Sequence, residues 1–180
     1  IYHREVRTTI SNMNVPLGRC IGNSIEVKEA ISILQCKEKD NNLYDLCIDL
    51  ATEMVSMGKE ISKQDAKIMV LESLKKGRAY EKFLELVKAQ GGHLEKMKVS
   101  KKTQIIKAPI DGVIKKIDAL AVGKLSVELG AGRKTKEDKV DHTVGIKLNK
   151  LVGDAVKKGD VLATLYVNEI VDLDNIETIF

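Results

Sequence analysis

The stretch PLGRCIGNSIEVKE, residues 16–29, carries the most specific local pattern of the chain and lies where a loop becomes a helix. Pro16 fixes its own φ and lacks an amide hydrogen, whereas Gly18 and Gly22 allow backbone angles that other residues avoid. Residues 16–22 therefore predict a loop of defined shape. The residues that follow it predict the first turns of a helix.

Two residues of this stretch can cap the predicted helix. With Ser24 as the N-cap, Val27 occupies the third helical position and the reciprocal capping box is absent. With Asn23 as the N-cap, Glu26 stands three residues further on, as that box requires. We therefore favour a helix that starts at Asn23.

Glu26 and Glu29 lie three positions apart on one face of this helix, near its positive end. Either carboxylate can fold back over the carbonyl groups of the loop, and carbonyl oxygens together with a carboxylate suit a hard cation. The alternative is a capped helix with two solvated acids. On the residues of this stretch alone, that alternative is favoured.

Composition limits the class of protein. The chain has 180 residues, 43% of them hydrophobic, and a net charge of +4 that is too small and too dispersed to indicate nucleic-acid binding. Cys20, Cys36 and Cys47 are odd in number and widely spaced, which predicts neither a disulfide framework nor a zinc site and suits a reducing cytoplasm. No apolar run reaches the roughly 20 residues of a membrane span. Because the chain starts at Ile1 rather than Met, we expect a fragment of a longer protein.

Residues 23–90 predict a block of helices, because apolar residues recur at the i, i+3, i+4, i+7 spacing. Cys47 falls on one of these apolar faces, which favours a buried small side chain over a nucleophile. Ser62 and Asp65 resemble the capping pair of the third helix. The predicted inner faces are Val27, Ala30, Ile31 and Leu34; Leu43, Leu46, Cys47, Leu50 and Met54; Ala66, Met69, Val70 and Ser73; and Ala79, Tyr80, Phe83, Leu86 and Val87.

The pattern changes near residue 98, where short β-branched stretches replace the helical period. Residues 144–148 and 161–166 predict strands, and the Gly-Asp pairs at 153–154 and 159–160 predict turns between them. Together they predict a compact sandwich of short strands. The predicted domains are therefore a mostly helical one over residues 1–97 and a second one over residues 98–180. Residues 6–10 fit either a strand or an irregular segment.

Two further features invite a functional interpretation. The run Gly130-Ala131-Gly132-Arg133 has glycine amides and a guanidinium that suit an anion, but it lacks the context of a phosphate-binding motif, so a shaped connection is favoured. His3, His93 and His142 are far apart and have no neighbouring Ser or Cys arrangement that would make one a general base. We expect none of the three to be catalytic.

Several motifs, taken in order, resemble the thymidine phosphorylase and pyrimidine-nucleoside phosphorylase family. They begin with the loop and helix at residues 16–31 and continue through most of the chain, in the family's own order. The later matches are Tyr80-Glu81-Lys82-Phe83, Gln90-Gly91-Gly92, Ala108-Pro109-x-Asp111-Gly112, Leu129-Gly130-Ala131-Gly132-Arg133 and Val156-Lys157-Lys158-Gly159-Asp160.

The resemblance implies an enzyme that cleaves a pyrimidine nucleoside with inorganic phosphate, giving the free base and a pentose 1-phosphate. In the family, the phosphate loop and the residues that hold the base belong to the N-terminal portion, which this sequence does not contain. No catalytic residue is therefore assigned here. We expect the fragment to be inactive alone, and the full-length protein to be a cytoplasmic homodimer that binds neither nucleic acid nor membrane.

The resemblance also implies a partial potassium site. Its family ligands match Leu17 and Cys20, which would contribute backbone carbonyls, and Glu29, which would contribute the carboxylate. The other ligands, a glycine and a threonine, belong to the absent phosphate loop. We therefore expect this chain alone to bind potassium poorly.

The expected fold class is α+β: the helical part of an α/β domain that closes over the substrate, followed by a small C-terminal α/β hammerhead built around a barrel-sandwich. The same module resembles biotinyl and lipoyl carrier domains, which gives an alternative function as a carrier or binding module. A carrier needs a lysine on a hairpin, usually beside methionine. Because no Met follows Met97, this alternative lacks its key residue.

Overall fold

The computed structural model describes residues 5–39, 41–172 and 179. Their contacts form two compact units, here called the helical unit (the described parts of 1–12 and 31–90) and the sheet unit (the described parts of 13–30 and 91–180). The loop at residues 16–22 groups with the sheet unit because it pairs with a strand near residue 146. The domain boundary after residue 97 stays a prediction.

The helical unit contains the last turn of helix α1 (Ser24–Leu34) and helices α2 (Asn42–Lys59), α3 (Lys63–Lys75) and α4 (Arg78–Ala89). Each of two helix starts is capped by a side chain. The Asn41 side chain accepts a hydrogen bond from the Tyr44 N–H at 2.8 Å. The Ser62 hydroxyl accepts one from the Asp65 N–H at 3.1 Å, which confirms the predicted capping pair.

Residues 5–13 have no regular secondary structure, so of the two interpretations of residues 6–10 the irregular segment is the one observed. Arg7 connects this segment to α2, because its guanidinium donates to the Glu53 carboxylate and to the Ser56 hydroxyl, each at 3.1 Å. Hydrogen bonds from Lys63 and Arg7 lower the pKa of the Glu53 carboxyl.

Helix α2 packs through a different face from the predicted one. Its buried residues are Ile48, Thr52 and Ser56, and Ile48 joins Val70 and Leu74 of α3 in the core of the helical unit. The predicted burial of Cys47 is wrong: this thiol is exposed, because α3 covers the opposite side of α2.

The faces predicted for α3 and α4 are confirmed in part. Ala66 and Val70 are buried as expected, whereas Met69 is 41% exposed and Leu74 completes the buried face of α3. In α4 none of the predicted inner residues is fully buried. Within the described residues, no helix combines enough length with enough apolar character to cross a lipid bilayer.

The sheet unit contains a four-stranded antiparallel sheet in the order β1-β4-β6-β2, formed by β1 (Cys20–Gly22), β2 (Lys102–Lys107), β4 (Gly145–Leu148) and β6 (Val161–Val167). A separate two-stranded sheet pairs β3 (Gly112–Val113) with β5 (Ala155–Val156). A short 3₁₀ helix spans Leu94–Lys96. The α+β class is thus confirmed, and the larger sheet is open, with β1 and β2 at its edges.

Strands β4 and β6 lie at the centre of this sheet and supply most of its buried side chains. Both were predicted from their β-branched composition, and the turns at Gly153 (φ +96°) and Gly159 (φ +90°) were predicted from their Gly-Asp pairs. Helix α5 (Ala119–Glu128) was not predicted; the Asp118 side chain caps it by accepting from the Ala121 N–H. The largest fully buried side chains of the unit are Ile117, Val122, Val144, Ile146, Leu148 and Leu165.

We expect Gly145→Ala to destabilise the sheet unit. An added Cβ would lie 2.7 Å from the Ile21 carbonyl oxygen and 2.8 Å from Ile25 Cγ2, so β1 would have to move away from β4. Overpacking of this kind costs about 1–3 kcal/mol in the free energy of unfolding. The measurement is chemical denaturation followed by circular dichroism.

Gly123→Ala is the matched control for that variant. An added Cβ at Gly123 meets nothing within 4 Å, and the position lies inside α5, so alanine should stabilise the chain by about 0.5–1 kcal/mol. Equal effects of the two substitutions would contradict the tight packing of β1 on β4.

Candidate functional site

The loop at residues 16–22 is held against the sheet by main-chain pairing. Cys20, Ile21 and Gly22 pair with Lys147, Ile146 and Gly145, in that order. Two flanking hydrogen bonds extend this pairing: the Leu148 N–H donates to the Arg19 carbonyl at 2.7 Å, and the Ser24 N–H donates to the His142 carbonyl at 3.2 Å. The loop and the start of α1 therefore have a fixed position on the edge of the sheet.

Glu29 folds back from α1 onto this loop. Its side chain is only 4% exposed, and its two carboxylate oxygens accept the N–H groups of Arg19, at 2.7 Å, and Cys20, at 3.1 Å. Gly18 makes the close approach possible, since a Cβ there would lie 2.5 Å from Glu29 Oε2. The carboxylate thus has two charge-assisted hydrogen bonds in a site largely shielded from water.

The other two predicted ligands, Leu17 and Cys20, belong to the same short loop as these N–H groups. The Arg19 carbonyl accepts a hydrogen bond from the Leu148 N–H of β4. Because the hydrogen-bonding groups of successive strand residues point to opposite sides, the N–H and carbonyl of Cys20 point away from β4. The Cys20 N–H accordingly meets Glu29. The structure therefore brings Glu29 against the backbone of residues 18–20, in the loop that also contains Leu17. That Leu17, Cys20 and Glu29 share a cation stays a prediction.

The groups available in this loop are a carboxylate and backbone carbonyls, which are oxygen ligands of the kind that hard cations take. A carboxylate oxygen can accept a hydrogen bond and coordinate a cation together, and backbone carbonyls are the usual remaining ligands of hard ions. In the described residues, no group of three or more His, Cys, Asp or Glu side chains could hold a metal ion. A cation here would depend on the main chain of the loop.

Glu26 differs from Glu29 in its surroundings. It is exposed and accepts the Gly22 N–H at 2.8 Å, one residue earlier than the reciprocal capping box requires. Asn23 is the residue that precedes α1, as predicted, and its carbonyl accepts the Val27 N–H. Its side-chain amide donates to the Ala131 carbonyl at 2.8 Å.

The glycine-rich run at residues 130–133 ends helix α5. The Gly130 N–H donates to the Val127 carbonyl and the Ala131 N–H to the Ser126 carbonyl, which is the hydrogen-bond pattern of a Schellman motif. Gly130 has the positive φ, +99°, that this motif needs. Two of the amides that an anion would require are thus used by the helix end, which supports the shaped connection.

The loop that follows this run is stabilised by acidic side chains. Asp138 accepts hydrogen bonds from Thr135 and Lys134, which lower the pKa of its carboxyl. Burial raises the pKa of Asp141, but hydrogen bonds from Thr143 and Asn168 outweigh this effect and leave the pKa below its ordinary value. These contacts hold the segment that ends at the His142 carbonyl, the acceptor of the Ser24 N–H.

None of the described histidines has a catalytic arrangement. His93 Nδ1 lies 2.9 Å from an exposed Glu95 carboxylate, and the His142 main chain has the structural role just given. His3 lies outside the described residues. The expectation that no histidine is catalytic stays a prediction.

Comparison with known proteins finds similarity to one family. Residues 113–178 match the model of the pyrimidine nucleoside phosphorylase C-terminal domain. The pyrimidine-nucleoside phosphorylase of Bacillus subtilis (strain 168) is 41% identical over 172 residues, and that of Geobacillus stearothermophilus is 40% identical over 172 residues. Each of these alignments covers 92% of this chain and 40% of the relative, so the chain spans well under half the length of these proteins.

A third relative agrees with these two. The pyrimidine-nucleoside phosphorylase of Staphylococcus aureus (strain COL) is 37% identical over 180 residues, which cover 96% of this chain and 41% of the relative. Over nearly its whole length the chain is similar to the C-terminal portion of the pyrimidine-nucleoside phosphorylases.

Proposed function

We propose that this chain is the C-terminal portion of an enzyme that cleaves a pyrimidine nucleoside with inorganic phosphate, releasing the free base and a pentose 1-phosphate. The observation that carries the proposal is the 41% identity to the Bacillus subtilis pyrimidine-nucleoside phosphorylase across 92% of the chain. The loop around Glu29 supports it, because the buried carboxylate is held by the Arg19 and Cys20 N–H groups within the loop that the resemblance implies as part of a cation site.

In the proposed reaction, phosphate attacks the anomeric carbon of the pentose as the bond to the base breaks. Positive charge develops on the sugar and negative charge on the leaving base, so the enzyme must position both substrates and stabilise these charges. The groups that do so are expected in the N-terminal portion of the full-length enzyme. This chain would supply the domain that closes over the substrates, and none of its residues is given a catalytic role.

The proposed cofactor is a potassium ion held in part by the Leu17 and Cys20 carbonyls and by the Glu29 carboxylate. When bound, the ion would supply a positive charge that joins this loop to the phosphate loop of the N-terminal portion. Glu29 supports this role, since it is buried and already held against the loop by two N–H groups. The full-length enzyme is proposed to be a cytoplasmic homodimer.

Phosphorolysis of uridine tests the proposal. We expect activity from a chimaera in which this chain replaces the matched C-terminal portion of the Bacillus subtilis relative, and none from this chain alone. The chimaera restores the groups that bind phosphate and base, whereas the isolated chain lacks them. The measurement is release of uracil and ribose 1-phosphate.

Two outcomes would contradict the proposal. A chimaera that folds but does not catalyse phosphorolysis would contradict the proposed reaction. Turnover by the isolated chain would show that catalytic groups lie within these 180 residues. A biotinyl or lipoyl mass on the chain expressed in cells would instead favour the carrier alternative.

Potassium dependence tests the role of Glu29. In the chimaera, Glu29→Gln should raise the potassium concentration for half-maximal activity by about tenfold or more, because the neutral amide removes the only charged ligand predicted in this chain. Glu26→Gln is the matched control on the same helix and should leave that concentration unchanged. The measurement is a potassium titration at constant ionic strength, balanced with choline.

The isolated chain gives a second readout of the same site. Because it would hold only part of the ligand set, we expect no saturable potassium binding at millimolar concentrations. Tight potassium binding by the isolated chain, or an equal response of Glu29→Gln and Glu26→Gln in the chimaera, would contradict the proposed partial site.

A further inference from the structure

A cavity lies in the sheet unit between the end of β2, strand β3, strand β5 and the start of β6. Its volume is about 350 Å³, which falls in the range that is usual for sites that bind small molecules. The buried side chains that line it are Ile106, Ala108, Ile114, Val156 and Leu162. Because these side chains are apolar, the cavity favours a ligand that offers an apolar surface.

Two exposed apolar side chains border this cavity. Ile110 is 70% exposed and Val113 is 57% exposed, and both contribute to its lining. The segment that carries Ile110 is held in place, because the Asp111 carboxylate accepts the Lys158 N–H at 2.6 Å. Solvent-exposed apolar side chains beside an apolar cavity extend the surface that a ligand can cover.

The charges around the cavity are positive. Lys107, Lys115 and Lys116 line it, are all exposed and are here called the lysine rim. Lys116 pairs with the Asp118 carboxylate at 3.0 Å. Within the described part of the chain, Lys107 and Lys115 have no ion pair, and none of the described lining residues is acidic. Lysine stems can lie along an apolar wall while their ammonium groups stay in water, so the lysine rim is complementary to an anionic group.

We propose that the cavity binds a free carboxylate with an unbranched apolar tail. The tail would lie against Ile106, Ile114 and Leu162, and the carboxylate would lie beside the ammonium groups of Lys107 and Lys115. A recessed cavity of small-molecule size favours one free molecule over a lipid bilayer or a second copy of this chain, each of which needs a wider apolar surface. No residue of the loop at 16–22 takes part, so this inference is independent of the proposed reaction.

Titration with octanoate tests the proposal. We expect saturable binding with a dissociation constant of about 1 mM or below, in this chain and in the chimaera, because the cavity lies within one compact unit. Isothermal titration calorimetry measures the affinity, and NMR on the chain should show the largest amide shift changes at Gly112, Val113 and Val156. Octylammonium, which has the same tail with a positive end, should bind about tenfold or more weakly.

A charge reversal on the lysine rim tests the anionic end of the ligand. Lys115→Glu should weaken octanoate binding by about fivefold or more, because it replaces an attractive charge by a repulsive one. Lys136→Glu is the matched control, since Lys136 is exposed in the loop after α5 and does not line the cavity. This control makes the same change in net charge and should leave the octanoate affinity nearly unchanged.

A substitution that fills the cavity tests where the tail binds. Gly112 lines the cavity, and an added Cβ there meets nothing within 4 Å, so Gly112→Phe should keep the fold. The phenyl ring should occupy part of the cavity and lower the octanoate affinity by about tenfold or more. Circular dichroism checks that the variant is folded. If it is not, the comparison of Lys115→Glu with Lys136→Glu decides.

Three results would overturn the proposal directly. The first is the absence of octanoate binding, or binding that does not respond to Lys115→Glu. The second is equal affinity for octanoate and octylammonium, because the lysine rim would then have no role. The third is binding by the isolated chain but not by the chimaera, which would show that the N-terminal portion covers the cavity.

Two further results would assign the cavity to another occupant and also overturn the proposal. One is sedimentation with phosphatidylglycerol vesicles that Lys115→Glu abolishes, in place of octanoate binding. The other is a dimer of the chain that Gly112→Phe dissociates. Octanoate binding by a chimaera that does not catalyse phosphorolysis would support this site and contradict only the proposed reaction.

Discussion

The contact between the Glu29 carboxylate and the N–H groups of Arg19 and Cys20 is the constraint on which the proposed site depends. A carboxylate that is 4% exposed is stable only if its oxygens have hydrogen-bond donors, and here the loop supplies them. The same contact fixes the loop beside β1, requires a residue without a side chain at Gly18, and orients the first turns of α1. The loop, β1 and the first turns of α1 therefore behave as one structural element of the sheet unit.

The residues of the stretch at 16–29 predicted the loop before Cys20, the helix and the preferred helix start, because turn and capping preferences are local. They did not predict that Cys20–Gly22 pairs with β4 as a strand. They did not separate the two acids. Glu26 and Glu29 have the same chemistry and lie on the same helical face, and only the tertiary position of the loop buries one of them. The family resemblance pointed to Glu29 as the ligand, and the structure gives a physical difference between the two acids. Glu26 is exposed and accepts the Gly22 N–H, whereas Glu29 is buried against the loop.

Helix α2 shows where sequence periodicity stops being informative. The apolar spacing predicted the helix correctly, but it assigned the buried face to the wrong side of the helix. Periodicity cannot state which partner covers a face, and in this chain α3 covers the opposite one. Helix α5 was missed for a related reason, since its short apolar run preceding Gly130 resembles a strand until the cap at Asp118 and the Schellman motif are seen.

Amide hydrogen exchange at Arg19 and Cys20 tests the role of the Glu29 contact most directly, measured by NMR on the isolated chain. Both amides should exchange slowly in the unmodified chain and about tenfold or more faster in Glu29→Ala, because their acceptor is lost. The amides of β6, which are bonded within the sheet, should change little. Fast exchange at Arg19 and Cys20 in the unmodified chain, or no change in Glu29→Ala, would contradict the account.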